Sequence, residues 1–200
     1  MHRGAIEGTL PVMDVSSVDE LVELIETGHR VKYLHFWGHR PPRDGGVGPG
    51  CLSQWWEAEF TVDDIAFASA EHYMMWRKAM LFDDAATARR VLAAGHPKQA
   101  KDLGREVRGF DENHWNAHRF EIVVAGSTAK FAQHAELGAY LLGTGDRVLV
   151  EASPVDRIWG IGLAADDVRA EDPRRWRGLN LLGFALMRAR AALREAQLIE

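Results

Sequence analysis

The stretch Ser69-Ala70-Glu71-His72-Tyr73-Met74-Met75-Trp76-Arg77-Lys78-Ala79-Met80-Leu81-Phe82 decides how this chain is read. Ser69 is placed to cap a helix that runs to about Phe82. Residues seven apart share a helix face, so Glu71 and Lys78 align two turns apart, with Met74 and Met75 near the same stripe. A carboxylate and an amine beside apolar side chains have environment-sensitive pKa values. A desolvated lysine there is a nucleophile, and the glutamate an acid or base. Spacing alone favours a plainer reading, a solvated face whose Glu71 complements the helix dipole.

Working outward, Ser17 to Thr27 has helical spacing, with Ser17 as N-cap and Gly28 as a stop. Val31 to Trp37 is aromatic and β-branched and predicts a strand. Pro41 to Gly50, rich in glycine and proline, is a loop. Phe60 to Val62 and Ile65 to Phe67 flank Asp63-Asp64 as a short hairpin, although Asp-Asp is a weaker turn than Asn-Gly. Asp83 or Asp84 caps the next helix, which ends at Gly95. Pro97 opens another to about Val107. Asp111 begins a long helical stretch reaching Leu142, with Gly126 and Gly138 as candidate breaks. Arg147 to Glu151 is a strand, Asp156 to Asp172 is irregular, and Asn180 to Gln197 is a final amphipathic helix. The expectation is one α+β, helix-dominated domain with a few short strands over residues 31–197, preceded by a leader, residues 1–30, with its own helix.

Composition narrows the function classes. With 46% hydrophobic and 26% charged residues the chain is of ordinary globular make-up. The single cysteine, Cys51, excludes an intramolecular disulfide. No apolar run is long enough for a membrane span, and the N-terminus lacks the apolar stretch of a signal peptide, so a cytoplasmic protein with no membrane partner is expected. A net charge of −5 disfavours nonspecific nucleic-acid binding. Seven tryptophans supply flat apolar area for a core or beneath a stacked base.

Other constellations carry less by themselves. Val150 to Gly162 runs from a strand through Pro154 to Asp156, Trp159, Gly160 and Gly162. Such loops present functional side chains, and a tight corner on a core tryptophan explains the pattern equally well. Asn180 suits an N-cap, at a helix start that also suits a phosphate or sugar oxygen. His114 and His118 stand four apart but lack the zincin glutamate and a third ligand, so no metal is expected. Lys98, Lys101, Arg105 and Arg108 form a basic stripe able to grip a phosphate, a pattern more often merely solvated.

Taken in order, Phe36-Trp37-Gly38, Cys51 to Trp56, Ala70 to Ala79, Lys101 to Arg105, Trp115, Lys130-Phe131, Leu142 to Asp146, Glu151 to Gly162 and Gly178 to Gly183 resemble the NADAR family, the YbiA-like domain, over about residues 32–194. The resemblance implies an N-glycosidase. One branch of the family releases an aminopyrimidine from phosphorylated riboflavin-pathway intermediates, leaving ribose 5-phosphate; another removes ADP-ribose from guanine. The family's catalytic positions fall on Glu71, Lys78 and Asp156. Trp115 and Trp159 are assigned to stacking, Asn180 with Arg77, Lys101 or Arg105 to hydroxyls and phosphate, and Trp37 and Gly160 to the substrate wall. No cofactor is implied. Residues 163–177 look inserted relative to shorter members, and the leader lies outside the match.

This chemistry requires a proton for the leaving nitrogen and stabilisation or capture of the anomeric carbon. Lys78 attacking C1 to form a Schiff base answers the second need; direct water attack assisted by Glu71 is the simpler alternative. A phosphorylated ribosyl-amine is the first substrate class expected. An ADP-ribose-containing substrate, with nucleic acid as the partner, is the second. A non-catalytic NAD- or ADP-ribose-binding module is the third.

Overall fold

A computed structural model of the chain describes residues 15–43 and 45–198. It contains α1 (Val18–Glu26), β1 (Tyr33–Phe36), β2 (Glu57–Val62), β3 (Ile65–Ser69), α2 (Ala70–Leu81), α3 (Ala85–Leu92), α4 (Pro97–Gly104), α5 (Glu112–Gln133), α6 (Ala135–Gly143), β4 (Val148–Glu151) and α7 (Leu181–Gln197). Short 3-10 turns occupy Pro49–Leu52, Val168–Glu171 and Pro173–Arg175. The expected α+β class, dominated by helix, is what forms.

Two small sheets organise the helices. β1 and β4 pair in parallel, with Phe36 opposite Glu151. Val148, Leu149 and Val150 are all fully buried, as befits a strand covered on both faces. β2 and β3 form the antiparallel hairpin, in which Asp63 and Asp64 adopt φ of 49° and 62°. Two left-handed central residues are the geometry of the tight hairpin turn, and aspartate tolerates it better than most side chains. Helix α2 leaves directly from β3 and is buried nearly all round, from Ala70 to Met75 and at Ala79. It is therefore the central helix of the domain, not a solvated face.

Caps differ from expectation in two places. Ser69 occupies the N-cap of α2 but makes no capping bond; its hydroxyl lies 2.8 Å from His72 Nδ1. His72 Nε2 reaches the carbonyl of Ala94 at 3.1 Å. A carbonyl only accepts, so Nε2 carries the proton and Nδ1 accepts from Ser69. Asn180 likewise does not cap α7 with its side chain: it is left-handed (φ 52°) and fully buried. Its Oδ1 accepts from the Glu151 N–H and its Nδ2 donates to the Leu149 carbonyl, both at 2.9 Å. Asn180 thus clamps α7 onto β4. Gly183 completes the clamp, because a Cβ there would overlap the Leu149 carbonyl and the Asn180 amide.

The long helical stretch breaks at His134, not at a glycine. Gln133 bonds both backbone groups of Thr61, and His134 Nε2 bonds the Glu59 carbonyl at 2.8 Å, so the end of α5 is stapled to β2. Gly126 and Gly138 serve packing instead. A Cβ on the first would sit 2.5 Å from the Tyr73 ring, and one on the second 2.7 Å from the Phe131 carbonyl. Helix α4 is shorter than expected, ending at Gly104. Asp84, not Asp83, caps α3.

The described part of the leader joins the core. Ser17 caps α1 as expected, and Leu21 and Leu24 are buried in the main apolar cluster. Helix α1 packs on the Pro173–Arg175 turn, so it and the inserted-looking segment support each other. The remainder of the leader, residues 1–14, lies outside the described residues.

Replacing Gly183 by alanine forces α7 off β4 and is expected to cost about 1–3 kcal/mol, the usual range for overpacking. Gly143→Ala, where nothing lies within 4 Å, is expected to be neutral or to stabilise by a few tenths of a kcal/mol. Urea denaturation of both variants checks the contrast.

Candidate active site

A cavity of about 190 Å³ opens where α2, α4, β4 and two loops meet. Helix α2 supplies Glu71, Met74, Met75 and Lys78; α4 supplies Lys101 and Gly104, and its C-cap residue is Arg105. Ser53, Gln54 and Trp55 form one edge. Glu151 from the end of β4, then Asp156 and Trp159, form the opposite edge. Three carboxyl groups and three cations therefore converge on one small space.

The carboxyls are held differently. Glu71 is almost fully buried, its Oε1 has no partner, and its carboxyl accepts from the Trp55 side chain. Burial pushes its pKa up to about 7, opposed first by Lys101. Glu151 Oε2 is also buried without a partner. Burial, then the neighbouring Asp156, pushes Glu151 up to about 8. Asp156 is tied to its own loop, with Oδ1 accepting the backbone N–H groups of Ile158 and Trp159 at 2.8 Å each.

Lys78 Nζ donates to the Gly104 carbonyl at 2.7 Å and lies 4.2 Å from the Phe110 ring centre and 5.7 Å from that of Trp115. Burial, and then the Arg105 charge, lower its pKa, which enlarges the nucleophilic neutral fraction. Of the basic stripe, Lys98 and Arg105 pair with Asp102, and Arg108 pairs with Asp84. Lys101 makes no ion pair among the described residues and stands 5.8 Å from the Trp55 ring centre. Only Lys101 and Arg105 of the four line the cavity.

A second, fully buried lysine shapes the edge. Lys130 Nζ donates to the carbonyls of Cys51 and Ser53 at 2.6 and 3.0 Å, and burial pulls its pKa down to about 7. The Glu71 N–H bonds the Gln54 carbonyl at 2.9 Å. These bonds fix the segment that presents Gln54 and Trp55.

The cavity gathers Glu71, Lys78, Asp156, Trp159, Lys101 and Arg105 from the residues singled out in the sequence. Trp115 is buried beside Lys78 and does not line the cavity. Gly160 lies behind Glu151, where a Cβ would stand 2.7 Å from the Glu151 carbonyl. Three residues are placed elsewhere. Trp37 is 63% exposed in a separate hollow with His39, Arg40 and Pro42. Arg77 donates to the Tyr73 hydroxyl. The Asn180 side chain is spent on β4. Sequence reasoning missed Glu151, Trp55 and Gln54. A glutamate closing an otherwise apolar strand, one turn of loop before Asp156, was the available signal for the first. His114 and His118 lie with ring centres 4.5 Å apart and tilted by 56°, and no group of metal-binding side chains forms among the described residues. No helix among them is long and apolar enough to cross a membrane.

A family model described as the NADAR domain matches residues 35–194. The chain belongs to the NADAR family. It is 39% identical to the N-glycosidase R617 of Acanthamoeba polyphaga mimivirus over 80% of this chain and 95% of that one. It is 33% identical to a riboflavin biosynthesis protein of Vibrio vulnificus over 73% of this chain and 36% of the longer relative. The NMR structure of Escherichia coli YbiA superposes with a TM-score of 0.66 at 26% identity, covering 86% of this chain and 92% of YbiA. This NADAR chain is accordingly a hydrolase acting on N-glycosyl compounds.

The raised Glu71 pKa has a consequence for stability. Its folded value of about 7 lies above the ordinary 4.5, so its contribution is full below about pH 4.5 and is lost as pH rises through 7. Glu71→Gln removes that loss. The melting temperature of the variant is expected to rise relative to the native protein between pH 5 and 8; parallel curves in differential scanning fluorimetry would contradict the assignment.

Proposed function

We propose that this protein hydrolyses the ribosyl C–N bond of a phosphorylated ribosyl-amine, a ribosyl-aminopyrimidine phosphate of the riboflavin pathway, and releases ribose 5-phosphate. The observation that carries this reading is the convergence of Lys78, Glu71 and Asp156 in one small cavity whose mouth holds Lys101 and Arg105. At about 190 Å³ the cavity is below the roughly 300–1,000 Å³ typical of sites for drug-sized ligands. It suits a sugar ring, with the base and phosphate at the mouth. With Glu71 and Glu151 both raised toward neutrality, Lys101 and Arg105 at the mouth favour an anionic substrate near pH 7. The name of the Vibrio relative agrees with this substrate class.

A ribosyl-amine opens to an imine, and the neutral Lys78 amine adds to its C1. Expulsion of the amine leaves a Schiff base on Lys78, which water hydrolyses. Glu71 serves the proton transfers beside the lysine, and Asp156 adds negative charge where positive charge develops on the sugar. Trp159 covers the sugar from the loop side. Substrates larger than the cavity, such as an ADP-ribosyl-guanine chain, extend outside it, which gives them second place.

Borohydride added during turnover is expected to trap a ribosyl adduct on Lys78, seen as a mass increase in the peptide that carries it. Lys78→Ala forms no adduct and loses about 100-fold or more in kcat. No adduct together with near-normal Lys78→Ala turnover contradicts the Schiff base; direct water attack then predicts the severe loss in Glu71→Gln alone. A substrate panel of ribosyl-amine phosphates, ADP-ribosylated guanosine and NAD identifies the class. Cleavage of ADP-ribosylated guanosine alone would overturn the riboflavin assignment.

A further inference from the structure

Glu151 lay outside every sequence-based assignment, yet its backbone is fixed on both sides and one of its carboxyl oxygens is sealed in the cavity wall. Its N–H is held by Asn180 Oδ1 and its carbonyl by the Ile161 N–H, both at 2.9 Å. Its neighbours Val150 and Ala152 are buried. The backbone has no room to withdraw the side chain from the cavity. Oε2 is buried with no hydrogen-bond partner in the protein. An ionised oxygen in that position forfeits its hydration with nothing in return, whereas a protonated one is a donor awaiting an acceptor from the substrate.

We propose that Glu151 is the catalytic acid of the cleavage, giving its proton to the departing nitrogen. The proposal rests on the glycosidase reading above. The environments of the two glutamates divide the work between them. The Trp55 side chain donates to Glu71 and favours its anion, and Lys101 is the first charge opposing its burial. Glu151 gains no such donor; after burial, Asp156 raises it most, Lys101 opposes, and Glu71 raises it further. The unpartnered Glu151 oxygen is the one placed to hold a proton for the substrate, and Glu71, with a donor beside it, the one placed to ionise. Two carboxyls pushed apart in this way form an acid and a base.

As the lysine-bound C1 expels the amine, the C–N bonding pair passes to nitrogen and the Glu151 proton joins it, so the amine leaves neutral. The Lys78 nitrogen lone pair forms the iminium. Water then adds its oxygen to C1 and returns a proton to the Glu151 carboxylate; the carbinolamine collapses as the C1–Lys78 bonding pair passes to the Lys78 nitrogen, which takes the C1 hydroxyl proton, and the ribose aldehyde leaves with the amine restored. Glu151 starts and finishes the cycle protonated.

Glu151→Gln keeps the shape of the side chain but has no proton to give. On a ribosyl-amine phosphate, kcat is expected to fall about 100-fold or more with KM little changed, and the alkaline limb of the kcat/KM profile near pH 8 should vanish. A ribosyl-amine phosphate whose amine carries an electron-withdrawing group, and so departs with less need of a proton, should lose at least about tenfold less in Glu151→Gln than the parent substrate. Glu151→Asp retains an acid one methylene further back; partial activity with the alkaline limb preserved shows that the Gln loss is not misfolding. A Glu151→Gln enzyme within about threefold of native on the ribosyl-amine, with an unchanged profile, overturns the proposal. Carbon-13 NMR of the glutamate carboxyls separates this failure from that of the substrate reading. A resonance titrating near pH 8 and absent in Glu151→Gln supports the proposal even where no ribosyl-amine is cleaved, a result that refutes the substrate reading alone. Absence of such a resonance in the native protein overturns the proposal whatever is cleaved.

Discussion

The constraint on which the structure turns is the burial of two glutamate oxygens, Glu71 Oε1 and Glu151 Oε2, that no protein group satisfies. Leaving such an atom unpaired costs on the order of 1–3 kcal/mol, so a fold that keeps two of them spends stability on a site. The domain carries the cost through an extensive apolar core that reaches from α1 to α7. It also fixes both glutamates at their backbones. Glu71 is set by the β3–α2 junction and the Gln54 carbonyl, and Glu151 by its strand register and the Asn180 clamp. The same burial that strains the carboxyls gives them their chemistry, since it brings their pKa values near neutrality.

Around that pair the remaining parts fall into supporting roles. The buried Lys130 ammonium ties down the loop that carries Trp55, and Trp55 in turn bonds Glu71. Gly160 lets the loop after β4 fold back closely enough for Asp156 and Trp159 to reach the cavity. Helix α4 presents Lys101 and Arg105 toward the mouth while Asp102 neutralises part of their charge. Trp115 and Phe110 give Lys78 aromatic neighbours and help to keep its amine poorly solvated.

Much of this was legible in the sequence, for identifiable reasons. Helix α2, the hairpin at Asp63-Asp64 and the Ser17 cap are local features, and local chemistry predicts them. The burial of Glu71 was not, because the pattern around it reads as a solvated face until α4, α5 and the 53–55 loop close over it. The split of α5 from α6 depends on bonds from Gln133 and His134 to β2, more than 70 residues away in the chain. Asn180 illustrates the same limit: its position at a helix start suggests a cap, and only the packing of α7 on β4 shows that both ends of its amide are used there. Glu151 escaped notice because a single acidic residue after Val148-Leu149-Val150 reads as the exit of a strand into solvent. Trp37 went the other way, assigned to the substrate by resemblance and found in a different hollow.

The central claim is that the sugar's anomeric carbon sits between Lys78 and the two glutamates. A crystal structure of the Lys78→Ala protein with intact ribosyl-amine phosphate tests it most directly. The account predicts the leaving nitrogen within roughly 3.2 Å of a Glu151 carboxyl oxygen and C1 facing the space left by the Lys78 amine, with the phosphate against Lys101 and Arg105. Substrate bound instead in the hollow beside Trp37, with the Glu71 cavity left empty, would contradict it.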